Sequence, residues 1–282
     1  MSQKLLVICG PTATGKTRLA LDLAKKFDGI LISADSRQVY KYMDIGTGKD
    51  FKNILGYDLV NPNEEFSVSN YSRFAREEIK KMQNKNLLPI LVGGTGLYIK
   101  AVIDNIETIN VPPDKKLRST YAKAMSDELF ELLVKMDARK AESMNESDRK
   151  NSRRLLRAIE IASSNLRTVA HKPKYDVLVI GLMADKKDLK ERIEKRVEER
   201  IGMGFEKEVV FLKENGFWDG APSRTLGYKD WPDIERWKIE EFKYAKRQMT
   251  WFKKDSRINW FDVMEEDYRK QVERLINEFV TS

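Results

Sequence analysis

Cysteine and histidine are almost absent from this 282-residue sequence, which contains one of each. A single cysteine, Cys9, excludes an intramolecular disulfide, and the lone His171 has no metal-ligating companions. We therefore expect a reducing compartment such as the cytoplasm, a Cys9 packed in the core, and no catalytic role for His171.

Long apolar runs are also missing. The first apolar run, residues 5–9, is preceded by almost no basic charge and ends at Gly10 and Pro11. It is too short for a secretory signal or a membrane span, and we expect no membrane partner. At this length the chain can bury one large core, or a core with an insertion.

Charged residues, in contrast, are abundant, with 52 Lys and Arg against 44 Asp and Glu. Residues 139–174 contain ten basic and four acidic side chains, so most of the net charge of +8 lies in that segment. A polyanionic partner could bind there, because neutralised phosphates release counterions. The alternative interpretation is a solvated helix surface.

The motif GPTATGKT at residues 10–17 lies between an apolar predicted strand and an amphipathic predicted helix. That context is typical of a P-loop, in which backbone N–H groups and a helix N-terminus hold phosphate oxygens. Lys16 would supply a point charge and Thr17 would hold Mg²⁺. A glycine turn without a ligand is the alternative. The predicted phosphate-binding residues are Gly10, Thr12, Ala13, Thr14, Gly15, Lys16 and Thr17.

Two further strands lead into polar or glycine-rich segments. One predicted strand, beginning at Ile30, ends at Asp35, and another, residues 87–92, runs into the sequence GGTG at 93–96. Because ligands bind at the carboxyl ends of parallel strands, we expect Asp35 and the segment after it to line the same cleft as the P-loop. An N-cap role is the alternative for Asp35. The GGTG segment predicts a second anion-facing helix N-terminus.

Alternation of strands and helices predicts an α/β fold with a P-loop NTPase-like core, in which helices flank a parallel sheet. Proline-containing segments at 110–114 and 171–174 bracket a stretch that has helical patterns only. We therefore predict a catalytic core at 1–110 and 175–282, and an all-helical insertion at 111–174.

Basic residues recur on two predicted helices of the C-terminal part. Arg192, Arg196 and Arg200 repeat every four residues beside an apolar stripe, a pattern that snorkelling side chains also produce. Residues 243–257 contain six basic side chains, one acidic side chain and two adjacent aromatic rings. That mixture suits single-stranded RNA, although core packing is the default for each ring taken singly.

Eight segments, taken in order, resemble the tRNA dimethylallyltransferase family. They are residues 10–17, 34–40, 43–47, 66–68, 93–99, 154–160, 227–228 and 245–251. A P-loop alone is shared by many kinases, but this series spans nearly the whole chain.

The resemblance implies transfer of a dimethylallyl group from dimethylallyl diphosphate to the exocyclic amine of the adenosine beside the anticodon in tRNA. The P-loop would then hold diphosphate, with Mg²⁺ as the cofactor, and the insertion would hold the anticodon stem-loop. We expect the enzyme to be a cytoplasmic monomer.

The resemblance also implies residue roles in catalysis. The catalytic residues by motif are Asp35, Thr95, Lys16 and Arg196. Asp35 would take the proton of the weakly nucleophilic amine. Lys16, Mg²⁺ on Thr17, the Thr95 hydroxyl and an arginine would stabilise the departing diphosphate. Arg196 matches that arginine best, and Arg192 is second.

The implied RNA contacts form three groups. Asp35, Ser36, Arg37 and Gln38 would face the target base; Arg118, Arg153, Arg154 and Arg157 would contact RNA from the insertion; Lys246 and Arg247 would do so from the C-terminal part. Two alternatives remain open from sequence, a P-loop kinase acting on a nucleotide or small metabolite and an RNA-binding ATPase without group transfer.

Overall fold

The computed structural model describes residues 3–49, 53–104, 106–164 and 174–282. His171 lies outside the described residues. The chain divides into two compact units, an α/β unit from 1–105 and 173–282 and a helical unit from 106–172. Across the described ranges, no helix is long and apolar enough to cross a membrane.

The centre of the α/β unit is a parallel sheet of five strands in the order β2-β3-β1-β4-β5. The strands are β1 Lys4–Cys9, β2 Gly29–Ser33, β3 Leu88–Gly93, β4 Asp176–Met183 and β5 Ile258–Asp262. Strand β1 pairs with β3 on one side and with β4 on the other, so the P-loop leaves the middle of the sheet. The predicted α/β class with a parallel sheet is confirmed.

Seven helices of the described chain belong to the α/β unit and five to the helical unit. Those of the α/β unit are α1 Lys16–Lys26, α2 Val68–Gln83, α3 Gly96–Ile103, α9 Lys186–Gly202, α10 Phe205–Glu214, α11 Ile234–Phe252 and α12 Tyr268–Thr281. Those of the helical unit are α4 Lys115–Thr120, α5 Ser126–Met136, α6 Ala138–Ser143, α7 Glu146–Arg149 and α8 Ser152–Ser163.

Both faces of the sheet are covered, because side chains alternate along each strand. Leu5 and Val7 of β1 pack with residues of α2, α3, α10 and α11, whereas Leu6 and Ile8 pack with residues of α1 and α12. All four are fully buried. A strand that is buried on both faces has apolar residues at successive positions, which explains the apolar run at residues 5–9.

Helix α2 begins at a well-formed cap, with Ser67 as the N-cap. The Ser67 hydroxyl accepts from the Asn70 backbone N–H at 3.2 Å, and the Asn70 side chain accepts from the Ser67 N–H at 3.0 Å. This reciprocal capping box satisfies two helix-end donors at once, which favours a helix start at this position.

The helical unit has its own apolar core, formed by residues of α5, α6 and α8 such as Leu129, Leu133 and Ile159. A 3₁₀ turn at Glu107–Asn110 clusters with this unit, although the predicted boundary assigned it to the core. Arg157 of α8 donates to the Thr108 carbonyl at 2.6 Å, which holds the turn to the helical unit.

One carboxylate anchors the loop at residues 43–49 of the α/β unit. Glu208 of α10 accepts from the backbone N–H groups of Asp44 and Ile45 at 2.8 Å each, and from that of Gly46 at 3.0 Å. It also accepts from the Tyr228 hydroxyl at 2.6 Å. A single side chain therefore satisfies three donors of a segment that has no regular secondary structure and ties that segment to Tyr228.

We predict that Glu208→Ala lowers the free energy of unfolding by about 2 kcal/mol, because several donors lose their acceptor at once. Urea denaturation measures this change, and faster amide exchange at residues 44–46 should accompany it. Glu206→Ala, at an exposed position of the same helix, should change stability by less than about 0.5 kcal/mol. Equal stability of the two variants would contradict the anchoring role.

Candidate active site

A cavity of about 950 Å³ lies at the carboxyl ends of β1, β2 and β3. Its walls contain the segments that follow these three strands, together with parts of α9 and α11. Ten basic and only three acidic side chains line it. Such an excess of positive charge in a concave, partly enclosed space suits a polyanionic ligand.

The cavity brings together many of the residues predicted from sequence, and all of them belong to the α/β unit. Those lining it are Thr12, Ala13, Gly15, Lys16, Thr17, Asp35, Ser36, Arg37, Gln38, Arg192, Arg196 and Arg247. Lys246 is exposed, and its ammonium lies 4.5 Å from the centre of the Phe242 ring.

The P-loop has the tight geometry that its glycines permit. Gly10 has a φ of +134°, and a Cβ at this position would lie 2.3 Å from the Leu182 carbonyl oxygen, so only glycine fits. The Thr14 hydroxyl donates to the Pro11 carbonyl at 2.9 Å, and Lys16 Nζ donates to the same oxygen at 2.6 Å. Lys16 is thereby folded back over the loop, where an anion would be held.

The charge of Lys16 is destabilised in its cavity. Burial lowers the pKa of Lys16 to about 8, and the nearby charge of Arg196 acts in the same direction. Asp35 and Glu241 oppose the effect through their negative charges. A bound phosphate group would relieve the repulsion between the two cations and stabilise the charged lysine.

Asp35 and Thr95 lie on adjacent loops that are tied together. The Arg37 backbone N–H donates to Asp35 Oδ1 at 2.8 Å, and the Ser36 N–H donates to Thr95 Oγ1 at 3.0 Å. Tyr244 of α11 also lies here: burial raises its pKa, and so does the charge of Asp35, while a hydrogen bond with Thr95 opposes them. The carboxylate therefore lies among polar groups at the edge of the anion site.

Gln38 lines the cavity, and its side chain also forms hydrogen bonds that hold a neighbouring loop. Its Oε1 accepts from the Ser33 hydroxyl at 2.6 Å, and its Nε2 donates to the carbonyls of Thr47 and Gly48 at 3.1 Å each. Both amide hydrogens thus hold the loop at residues 43–49, the one that Glu208 anchors.

The three arginines of α9 have different surroundings. Arg196 Nη1 donates to Thr12 Oγ1 at 2.7 Å, which places it beside the P-loop. Arg200 is only 4% exposed and pairs with Glu241 at 3.7 Å. Arg192 contacts neither group: its Nη2 lies 3.5 Å from the Met264 sulfur.

Sequence reasoning gave no role to Glu241 and Gln248 of α11, yet both contact the P-loop. Glu241 Oε1 accepts from the Thr12 hydroxyl at 3.3 Å, and Gln248 Oε1 accepts from the Thr12 backbone N–H at 2.8 Å. The signal was present in the helical pattern. Both polar residues occupy positions of the buried stripe that includes Trp237 and Phe252, where apolar residues are expected.

In the helical unit, the predicted RNA-binding arginines divide into two pairs. Arg118 and Arg157 donate to the buried Glu160 at 2.6 and 3.1 Å, respectively. Burial would raise the pKa of Glu160, but these hydrogen bonds lower it below its ordinary value. Arg154 pairs with Asp148 and, like Arg153, is exposed. Arg118, Arg153 and Arg154 are therefore exposed to a ligand of this unit, and among these three only Arg118 is held by the buried Glu160.

In the described part of the chain, no group of three or more histidine, cysteine, aspartate and glutamate side chains could hold a metal ion. Thr17 and Asp35 both line the cavity and offer oxygen ligands. Mg²⁺ commonly takes one or two protein oxygens and completes its shell with substrate phosphates and water. These residues fit a metal ion that arrives with a diphosphate.

The IPP transferase family model matches residues 38–255, and the isopentenyl transferase model matches residues 3–57. The chain belongs to the IPP transferase family. A tRNA dimethylallyltransferase of Carboxydothermus hydrogenoformans is 36% identical over 99% of this chain and 98% of its own length. A tRNA dimethylallyltransferase of Caldanaerobacter subterraneus is 37% identical over 99% of this chain and 97% of its own.

A solved structure shows the same fold. The crystal structure of a tRNA delta(2)-isopentenylpyrophosphate transferase from Staphylococcus epidermidis matches with a TM-score of 0.72 and 31% identity. The match covers 99% of both chains. The prediction of family and of a transferase is confirmed, and among the interpretations open from sequence the prenyltransferase is supported over the P-loop kinase.

We predict that Lys16 of this IPP transferase family member titrates near pH 8 in the unliganded protein. NMR of the lysine side-chain nitrogens measures this directly, with Lys16→Arg assigning the signal. Inorganic diphosphate should raise the pKa, because the bound anion favours the charged form. An unliganded pKa near the ordinary lysine value of about 10.4 would contradict the described electrostatics of the cavity.

Proposed function

We propose that this protein transfers a dimethylallyl group from dimethylallyl diphosphate to the exocyclic amine of the adenosine beside the anticodon in tRNA. The observation that carries the proposal is that one cavity holds a P-loop, a ring of basic side chains and the carboxylate of Asp35. Membership of the IPP transferase family supports the same conclusion.

The proposed chemistry is a displacement at carbon. The bond between C1 of the dimethylallyl group and the bridging oxygen breaks, its electron pair leaves with diphosphate, and a bond forms between C1 and the adenine amine. The proton that the amine loses goes to Asp35, a general base positioned beside the anion site. Lys16, Arg196 and the P-loop N–H groups stabilise the negative charge that gathers on diphosphate.

Mg²⁺ would neutralise part of the diphosphate charge in this cavity. The Thr17 hydroxyl is the protein group we propose to hold it, together with diphosphate oxygens. The Thr95 hydroxyl lies at the edge of the anion site, where it accepts a hydrogen bond from the Ser36 N–H.

The adenosine must leave its base stack to reach the cavity, which costs a few kcal/mol that contacts elsewhere on the RNA repay. We propose that the helical unit supplies such contacts to the anticodon stem-loop through Arg153 and Arg154. A substrate such as tRNA supports action in the cytoplasm.

Purified protein with Mg²⁺ should move a labelled dimethylallyl group from its diphosphate onto an anticodon stem-loop that carries the target adenosine. Asp35→Asn should lower turnover about a hundredfold or more, because the amine loses its general base, while RNA affinity changes little. Asp233→Asn, which alters an N-cap of α11 and not the cavity, is the control. Transfer of phosphate from ATP to a small acceptor, with no label on RNA, would contradict the proposal and identify the protein as a kinase.

Replacing Arg153 and Arg154 together by Ala should weaken RNA binding and flatten its salt dependence by about one unit of slope per lost phosphate contact. Binding of dimethylallyl diphosphate should not change. Lys135→Ala, at another exposed position of the helical unit, serves as a charge control. An unchanged salt slope in the double variant would identify this surface as a solvated helix face.

A further inference from the structure

Gln248 connects the two glycine loops of the cavity. Its Oε1 accepts from the Thr12 backbone N–H of the P-loop at 2.8 Å, and its Nε2 donates to the Gly94 carbonyl at 3.0 Å. The side chain is only 6% exposed. Both ends of one amide are thus used by backbone groups of different loops, which a side chain of different length or chemistry could not reproduce.

The space at Gly94 is shaped by the same side chain. A Cβ on Gly94 would lie 2.1 Å from Gln248 Nε2, and its next neighbours would be Gln248 Cδ at 3.3 Å and the Gly10 carbonyl oxygen at 3.6 Å. The φ of Gly94 lies outside the left-handed region, so its backbone conformation is open to alanine. Gln248 is therefore the residue that would clash with a side chain at position 94.

These contacts form a continuous connection between the two halves of the proposed reaction. Thr12 belongs to the loop that holds the leaving group. Gly94 precedes Thr95, whose hydroxyl accepts from the Ser36 N–H at 3.0 Å, and Ser36 follows the proposed base Asp35. Gln248 is the link that spans from the P-loop to the loop tied to that base.

We propose that Gln248 is a positioning residue that fixes the P-loop relative to the Thr95 loop and so aligns the leaving diphosphate with the attacking amine. The proposal rests on the proposed function. Displacement at carbon needs the nucleophile and leaving group in line, and a misplacement of about 1 Å can cost about a hundredfold in rate. Each substrate keeps its own binding contacts when the connection is lost, so the effect falls on turnover.

Gln248→Met keeps the length of the side chain and removes both hydrogen bonds. We expect kcat for dimethylallyl transfer to fall about 10- to 100-fold, with KM for the stem-loop and Kd for dimethylallyl diphosphate within about threefold of the wild type. Gln271→Met, at an exposed glutamine of α12, is the matched control and should keep the wild-type kcat. A variant with wild-type kcat, or a loss confined to KM or Kd, would overturn the positioning role.

A second pair of variants tests the geometry itself. Gly94→Ala should lower kcat by a similar factor, because the new methyl group displaces Gln248 Nε2. In a Gln248→Ser background, the same Gly94→Ala change should have little further effect, since the obstructing amide is gone. Two effects that multiply in the double variant would show that the residues act independently and would overturn the proposal.

The wild-type protein in the same assay separates this proposal from the proposed function. Absence of any transfer by the wild type would overturn both. Transfer by the wild type together with full kcat in Gly94→Ala and Gln248→Met would overturn the positioning role alone.

Discussion

The close approach of backbone segments at the carboxyl end of the sheet is the constraint on which the α/β unit depends. A Cβ at Gly10 would lie 2.3 Å from the Leu182 carbonyl oxygen, and one at Gly93 would lie 2.2 Å from that of Ala34. Strand β1 pairs with β3, with Cys9 opposite Gly93, so the P-loop and the Thr95 loop leave the sheet side by side. The segment after β2, which begins at Asp35, then faces the same cavity.

This arrangement concentrates positive charge in the cavity, where the basic side chains repel one another. Burial and the charge of Arg196 lower the pKa of Lys16, and Arg200 is held by the carboxylate of Glu241. An anion bound at the P-loop would relieve that repulsion, so binding and electrostatic stabilisation act together. A P-loop with this environment can hold either the diphosphate leaving group of a dimethylallyl transfer or the substrate of a phosphoryl transfer. Membership of the IPP transferase family favours the leaving group.

The fold and the anion site could be predicted from sequence because they depend on local patterns. Apolar runs followed by glycine identify β1 and β3, and GPTATGKT identifies the P-loop. Strand β5 escaped prediction because Ile258 is its only buried residue, so its apolar pattern is weak. The helical pattern marks Glu241 and Gln248 as buried polar residues, but their contacts with Thr12 span more than 200 residues of the chain, and no local pattern reports such partners. The same holds for the Arg118–Glu160 pair, which only packing of α4 against α8 reveals.

The central claim is that the P-loop holds a leaving group and that no bond to phosphorus breaks. Dimethylallyl diphosphate labelled with ¹⁸O at the oxygen between C1 and phosphorus tests it most directly. After incubation with the stem-loop and Mg²⁺, mass spectrometry should find all of the label in the released diphosphate, because the C–O bond is the one that breaks. Label that remains with the dimethylallyl group would show P–O cleavage and would contradict the account.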